Sequence, residues 1–147
     1  LNAKRDWGHA KDYVYMQYLM LQQATPGDFV ISTGKQYSIR DFIKMTANEL
    51  GFEIKFEGSG INEVGIVDNI SSNLDHGLKE GQKIIQVDPK YFRPSEVEDL
   101  LGNSNKAKEL LNWVPDFDIK LLVKEMVDND LELAKRKQYL IKGGFAK

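Results

Sequence analysis

Asp88-Pro-Lys-Tyr-Phe-Arg-Pro-Ser-Glu-Val97 follows the apolar run Lys83-Ile-Ile-Gln-Val87. The run reads as a strand, and Pro94 is placed to open a short helix over Ser95–Leu101, because a proline in the first turn loses no needed N–H. Arg93 stands between Phe92 and Pro94, and the proline biases it toward extended backbone. Glu96 comes three positions later. A loop-held arginine beside a carboxylate suits a ligand with both phosphate and hydroxyl groups. Guanidinium matches phosphate oxygens in a fork, and a carboxylate accepts from hydroxyls. The plainer reading is an Arg93–Glu96 pair that closes a structural turn.

Outward from this stretch the chain alternates helix and strand. A helix is expected from His9 to Gln23, its broad apolar surface implying that it is largely buried. Breakers at Thr25-Pro-Gly-Asp28 end it, and Phe29-Val-Ile-Ser-Thr33 reads as a short strand buried on both faces. Ser38 with Asp41 forms a capping box for a helix over Ile39–Leu50, and Gly51 is a natural residue beyond its end. Phe52–Glu57 alternates as a half-exposed strand. The stretch 58–81 carries five glycines and little periodicity, and reads as a loop. After the Ser95–Leu101 helix, Asn103 caps a helix over Ser104–Asn112, with Trp113 as a packing residue. Asp118 caps a last long helix, followed by a polar tail from Ala134 and a fraying Gly143-Gly144. The order α-β-α-β-loop-β-α-α-α defines an α/β chain whose sheet is short for a doubly wound domain.

Composition excludes several classes. The chain has 147 residues, 41% hydrophobic and 29% charged, enough for a core. A net charge of −2 argues against general nucleic-acid binding. No cysteine is present, so disulfides and thiolate metal sites are excluded. His9 and His76 are far apart and lack ligand spacing. No apolar run approaches the ~20 residues a membrane helix needs, and no leader pattern opens the chain, so a cytoplasmic location is expected. The start at Leu1, directly before Lys4-Arg-Asp-Trp7, is the pattern expected of a fragment.

The sequence contains no G-x-G-x-x-G turn, no Walker loop and no G-x-S-x-G elbow. None of the six tyrosines is followed four positions later by lysine, so the Tyr-x-x-x-Lys acid–base pair is absent. Candidate polar recognition groups are Lys4 and Arg5 near His9, Arg93 with Glu96, and Arg40 at a helix start, where backbone N–H groups also favour anions. Against each stands a structural alternative: an Arg5–Asp6 surface cluster with Trp7 and His9 buried, and Arg40 on a solvated helix face.

Arg5-Asp-Trp-Gly-His-Ala-Lys-Asp-Tyr-Val14 resembles the Arg-Asp-aromatic-x-His-x-x-Asp segment of the extended short-chain dehydrogenase/reductases. With Leu19–Gln23, Asp28–Ile31, Tyr91-Phe-Arg-Pro-Ser-Glu-Val97, Lys106–Pro115 and Glu125–Lys135, the whole chain resembles the C-terminal part of the GDP-mannose 4,6-dehydratases. The resemblance implies an incomplete α/β domain. Residues 1–33 would be the remnant of an NADP-binding Rossmann domain with its last strand. Residues 34–147 would form the sugar-nucleotide lobe, with a loop-like excursion at 58–81. It implies conversion of GDP-mannose to GDP-4-keto-6-deoxymannose by the full family enzyme, with NADP as a recycled hydride carrier. The catalytic tyrosine and glutamate would lie upstream, leaving this chain with no catalytic residue, no bound NADP and no turnover alone. Arg5 and Arg93 would hold the GDP diphosphate and Glu96 the ribose, while Arg40 has no assigned counterpart. GDP or GDP-mannose is the expected partner, and a homo-oligomer through exposed apolar surface is also expected. The alternatives are another sugar-nucleotide dehydratase or epimerase of that superfamily, and a non-catalytic interaction module reusing the lobe.

Overall fold

The computed structural model describes residues 1–71, 77–93, 97 and 99–145. Its elements in order are β1 (Lys4–Arg5), α1 (Ala10–Leu21), β2 (Tyr37–Ser38), α2 (Ile39–Glu49), β3 (Phe52–Glu57), β4 (Val64–Ile70), β5 (Lys83–Gln86), α3 (Asn105–Leu111) and α4 (Ile119–Lys142). Strands β3, β4 and β5 form an antiparallel sheet in sequence order, and β1 pairs antiparallel with β2. The architecture is a small mixed α/β one.

Helix α2 forms as the sequence dictates. Ser38 Oγ accepts from the Asp41 N–H, and the Asp41 carboxylate accepts from the Ser38 N–H. Two orphan donors of the first turn are thereby satisfied. Ala47, with Ile43 and Leu50 beside it, packs onto Phe52, Ile54 and Val67 of the sheet. Leu50 also touches a second cluster, where Ile119, Val123 and Val127 of α4 meet Phe42 and Met45. A third cluster joins α1 to α3 through Met16, Ala107, Leu111 and Trp113.

Five expectations are corrected. The stretch 58–81 is not one loop: it contains β4, whose register against β3 runs from Phe52↔Ile70 to Glu57↔Val64. Gly65 concealed this strand by lowering β propensity, yet a side chain there has no room. A Cβ would lie 2.8 Å from Ile54 Cδ1 and 2.9 Å from Ile85 Cβ. Residues 72–76 lie outside the described residues.

Phe29–Thr33 is not a strand. Phe29 and Ile31 pack on the α1–α3 cluster while Val30 is exposed, and no described strand offers this segment a ladder. Helix α1 is buried on one side only, with Val14, Tyr15, Tyr18 and Leu21 all more than half exposed.

The helix expected over Ser95–Leu101 is absent at Val97 and 99–101, the described part of that range. Pro89 opens a helical turn, and Pro94 lies outside the described residues. Pro89–Tyr91 is a 3₁₀ turn whose cap, Asp88, accepts from the Lys90 N–H. Finally, α4 continues through the polar tail to Lys142, and the last residues close a hydrogen-bonded turn from Gly143 and Gly144 N–H back to Tyr139 and Ile141 rather than fraying.

Candidate functional site: a groove between β1 and the β5 loop

The segment Arg5–Asp12 is mostly a fastening. Asp6 does not pair with Arg5. Its carboxylate accepts from the Thr33 N–H at 2.9 Å, the Thr33 hydroxyl and the Gly34 N–H at 2.8 Å. Trp7 packs against Phe42 with ring centroids 4.9 Å apart. His9 is buried, and its Nδ1 caps α1 by accepting from the Lys11 N–H. That bond makes Nδ1 the acceptor, so Nε2 donates to Glu125 at 3.2 Å. The ring stacks on Phe117 at 4.1 Å. Asp12, also buried, accepts from the N–H groups of Asp116 and Phe117, and its carbonyl accepts from Trp113 Nε1. The carboxylate groups Asp6 and Asp12 also raise the pKa of Tyr13, after burial of the phenol itself. Thus His9 is structural, as its plainer reading held.

Arg5 alone in this segment turns into an open groove. It shares that groove of about 410 Å³ with Arg93, and with Ile39, Glu63, Val87, Tyr91 and Phe92. Strand β1 carries Arg5, held by pairing with Tyr37 in β2. Strand β5 and the Pro89–Tyr91 turn deliver Arg93, which is exposed. The two arginines that the sequence singled out therefore line one groove. Arg5 Nη1 donates to the carbonyls of Lys4 at 2.7 Å and Val97 at 2.8 Å. Glu96, the third predicted residue, lies outside the described residues.

Arg40 is not on a solvated face. Its Nη2 donates to Glu63, and its guanidinium lies over the Phe56 ring, 5.1 Å from the centroid. Glu63 is 3% exposed and also lies 3.3 Å from the Leu1 amino nitrogen. Sequence reasoning missed Glu63, because a glutamate between a glycine turn and an apolar run carries no sign of burial. Lys4 is exposed.

Among the described residues no group of three His, Cys, Asp or Glu side chains could hold a metal, and no helix is long and apolar enough to cross a membrane. No described strand passes through a glycine-rich turn into a helix; β2 runs straight into α2 without a glycine.

Two arginines, two exposed aromatics and a valine side by side define a groove for a ligand with anionic and planar apolar parts. Comparison with known proteins agrees with such a class. The family model described as GDP-mannose 4,6 dehydratase matches residues 1–126, and the chain belongs to that family. It is 51% identical over 145 residues to the GDP-mannose 4,6-dehydratase of Yersinia enterocolitica, covering 99% of this chain and 39% of the relative. It is 53% identical over 136 residues to that of Vibrio cholerae, covering 92% of the chain and 37% of the relative. The human enzyme is 46% identical over 136 residues, covering 92% and 34%. The chain thus spans about two fifths of the length of the first two and a third of the human one.

Proposed function

We propose that this chain supplies the nucleotide-sugar-binding part of a GDP-mannose 4,6-dehydratase and corresponds to its C-terminal portion. The observation that carries the reading is the meeting of Arg5 and Arg93, distant in sequence, in one groove. Guanidinium groups bind phosphate oxygens in forks, each charged hydrogen bond contributing about 1.5–3 kcal/mol. Tyr91, Phe92 and Val87 offer apolar area to the guanine base. Glu96 accepts from the ribose hydroxyls. Residues 34–147 form this lobe, and residues 1–33 are the remainder of a Rossmann-type cofactor domain in an extended short-chain dehydrogenase/reductase. NADP, which supplies the hydride chemistry in the complete lyase, is held by residues outside this chain.

This chain's part in the reaction is binding and orientation, and it is inactive alone because positioned acid, base and hydride carrier are all required. The location proposed is the cytoplasm, and no nucleic-acid partner is proposed. The exposed apolar face of α1 brings copies together when nothing else covers it.

Calorimetric titration of GDP and then GDP-mannose into the 147-residue chain tests the reading. Saturable binding, stronger for GDP than for UDP or dTDP and lost in Arg93→Ala, is expected. No binding to a sample that melts cooperatively would overturn it. Equal binding of the three nucleotides would move the chain's specificity to another sugar nucleotide.

A further inference from the structure

We infer that the Glu63–Arg40 ion pair is a positioning device: it sets how far apart Arg5 and Arg93 stand, and so fits the groove to a diphosphate rather than a single phosphate. The inference rests on the site reading above. The two arginines hang from different parts of the fold. Arg93 follows β5, which pairs with β4, and Glu63 immediately precedes β4. Arg5 belongs to β1, which pairs with β2, and β2 runs into the first turn of α2, where Arg40 sits. The Ile39 and Arg40 N–H groups also donate to the carbonyls of Ala3 and Leu1. Arg40 therefore moves with the strand of Arg5, and Glu63 with the sheet of Arg93.

Apolar packing does not set this relation by itself. Ile43, Ala47 and Leu50 hold the later turns of α2 on the sheet. The first turn, from which β1 hangs, is fastened to the sheet side by Arg40 on Glu63 and on Phe56. The Arg40 Nε is buried and has no hydrogen-bond partner. A pair chosen only to stabilise would be an inefficient one, since apolar residues of equal size serve as well or better at buried ion pairs. What an ion pair adds is a directional contact of fixed length.

The test compares GDP with GMP as probes, by calorimetry on the 147-residue chain. In the unaltered chain GDP binds at least about 10-fold more tightly than GMP, because two arginines span two phosphates. The double variant Arg40→Met with Glu63→Leu replaces the pair by apolar groups and is expected to melt near the parent temperature. In it the GDP-to-GMP ratio falls about threefold, through a loss of GDP affinity smaller than that of Arg93→Ala, while GMP affinity holds. Should the double variant not fold, Glu63→Gln carries the same ratio, with a smaller fall. A folded variant with the parent ratio overturns the inference, as does an equal loss for both nucleotides. Failure of the unaltered chain to bind either nucleotide overturns the site reading itself, and the inference with it.

Discussion

Arg5 Nη1 donates to the Val97 carbonyl at 2.8 Å, so a side chain of the first strand is tied to a residue four positions beyond Arg93. One arginine thereby contacts the chain close to the other. Arg5→Lys is expected to weaken GDP binding by about 10-fold or more, because an ammonium cannot bridge two carbonyls and a phosphate in a planar fork. A Lys variant that binds GDP like the parent would show that Arg5 serves the loop only.

Arg93→Ala and Arg40→Ala separate binding from folding. Arg93 is exposed, so its removal leaves stability within about 0.5 kcal/mol while lowering GDP affinity by about 10-fold or more. Arg40→Ala removes one of the two cationic partners of the buried Glu63 carboxylate and costs about 1–3 kcal/mol of stability. Its effect on GDP is the smaller of the two. Denaturant melts and calorimetry on both variants check this, and equal losses of GDP affinity would mean that the diphosphate lies elsewhere.

Asp12 is a fold residue, not a catalytic one. Truncation to Ala removes the acceptor for the Asp116 and Phe117 N–H groups at once. The expected cost is about 2–5 kcal/mol, read as a lowered urea midpoint. Asn keeps one acceptor oxygen and should recover part of that loss.

The capping box gives a pH dependence with a definite sign. The Ser38 hydrogen bonds hold the Asp41 carboxyl below its ordinary pKa of 3.8. A depressed folded-state pKa contributes stability above the unfolded value that is lost as pH falls through the folded one. Stability therefore declines below about pH 4 in part through Asp41. In Asp41→Asn this decline should be shallower in melts from pH 5 to 3, and Ser38→Ala should cost about 1 kcal/mol at pH 7.

The legible parts of the sequence were those set by local chemistry. Ser38 with Asp41 located the start of α2, strict alternation located Phe52–Glu57, and Asp118 located the start of α4. The lost parts depend on distant partners. Gly65 hid β4 because its use, a close approach of Ile54 and Ile85, comes from two other strands. Phe29–Thr33 has strand residues, but a ladder needs a neighbour, and Asp6 takes the Thr33 N–H instead. Arg5 and Arg93, singled out by residue type and setting, both line the groove. Glu63 was not singled out, since burial of a carboxylate is decided by Arg40 across the fold.

Helix α1 supplies the last prediction. Its outward side carries Val14 at 61%, Tyr18 at 56% and Leu21 at 82% exposure, with Tyr15 stacked near Tyr18 at 6.4 Å. Water contact with so much apolar surface on one helix is unfavourable by about 25 cal/mol per Å², so covering it favours association. The 147-residue chain is therefore expected to sediment as a concentration-dependent oligomer. Val14→Glu with Tyr18→Glu should shift it to monomer, since two like charges on the patch must be desolvated to rebuild the contact. GDP binding should be unchanged in that monomer, because α1 does not line the groove. A chain already monomeric at the highest soluble concentration would rule out α1 as a self-association surface, and loss of GDP binding in the monomer would mean that the groove is completed by a second copy.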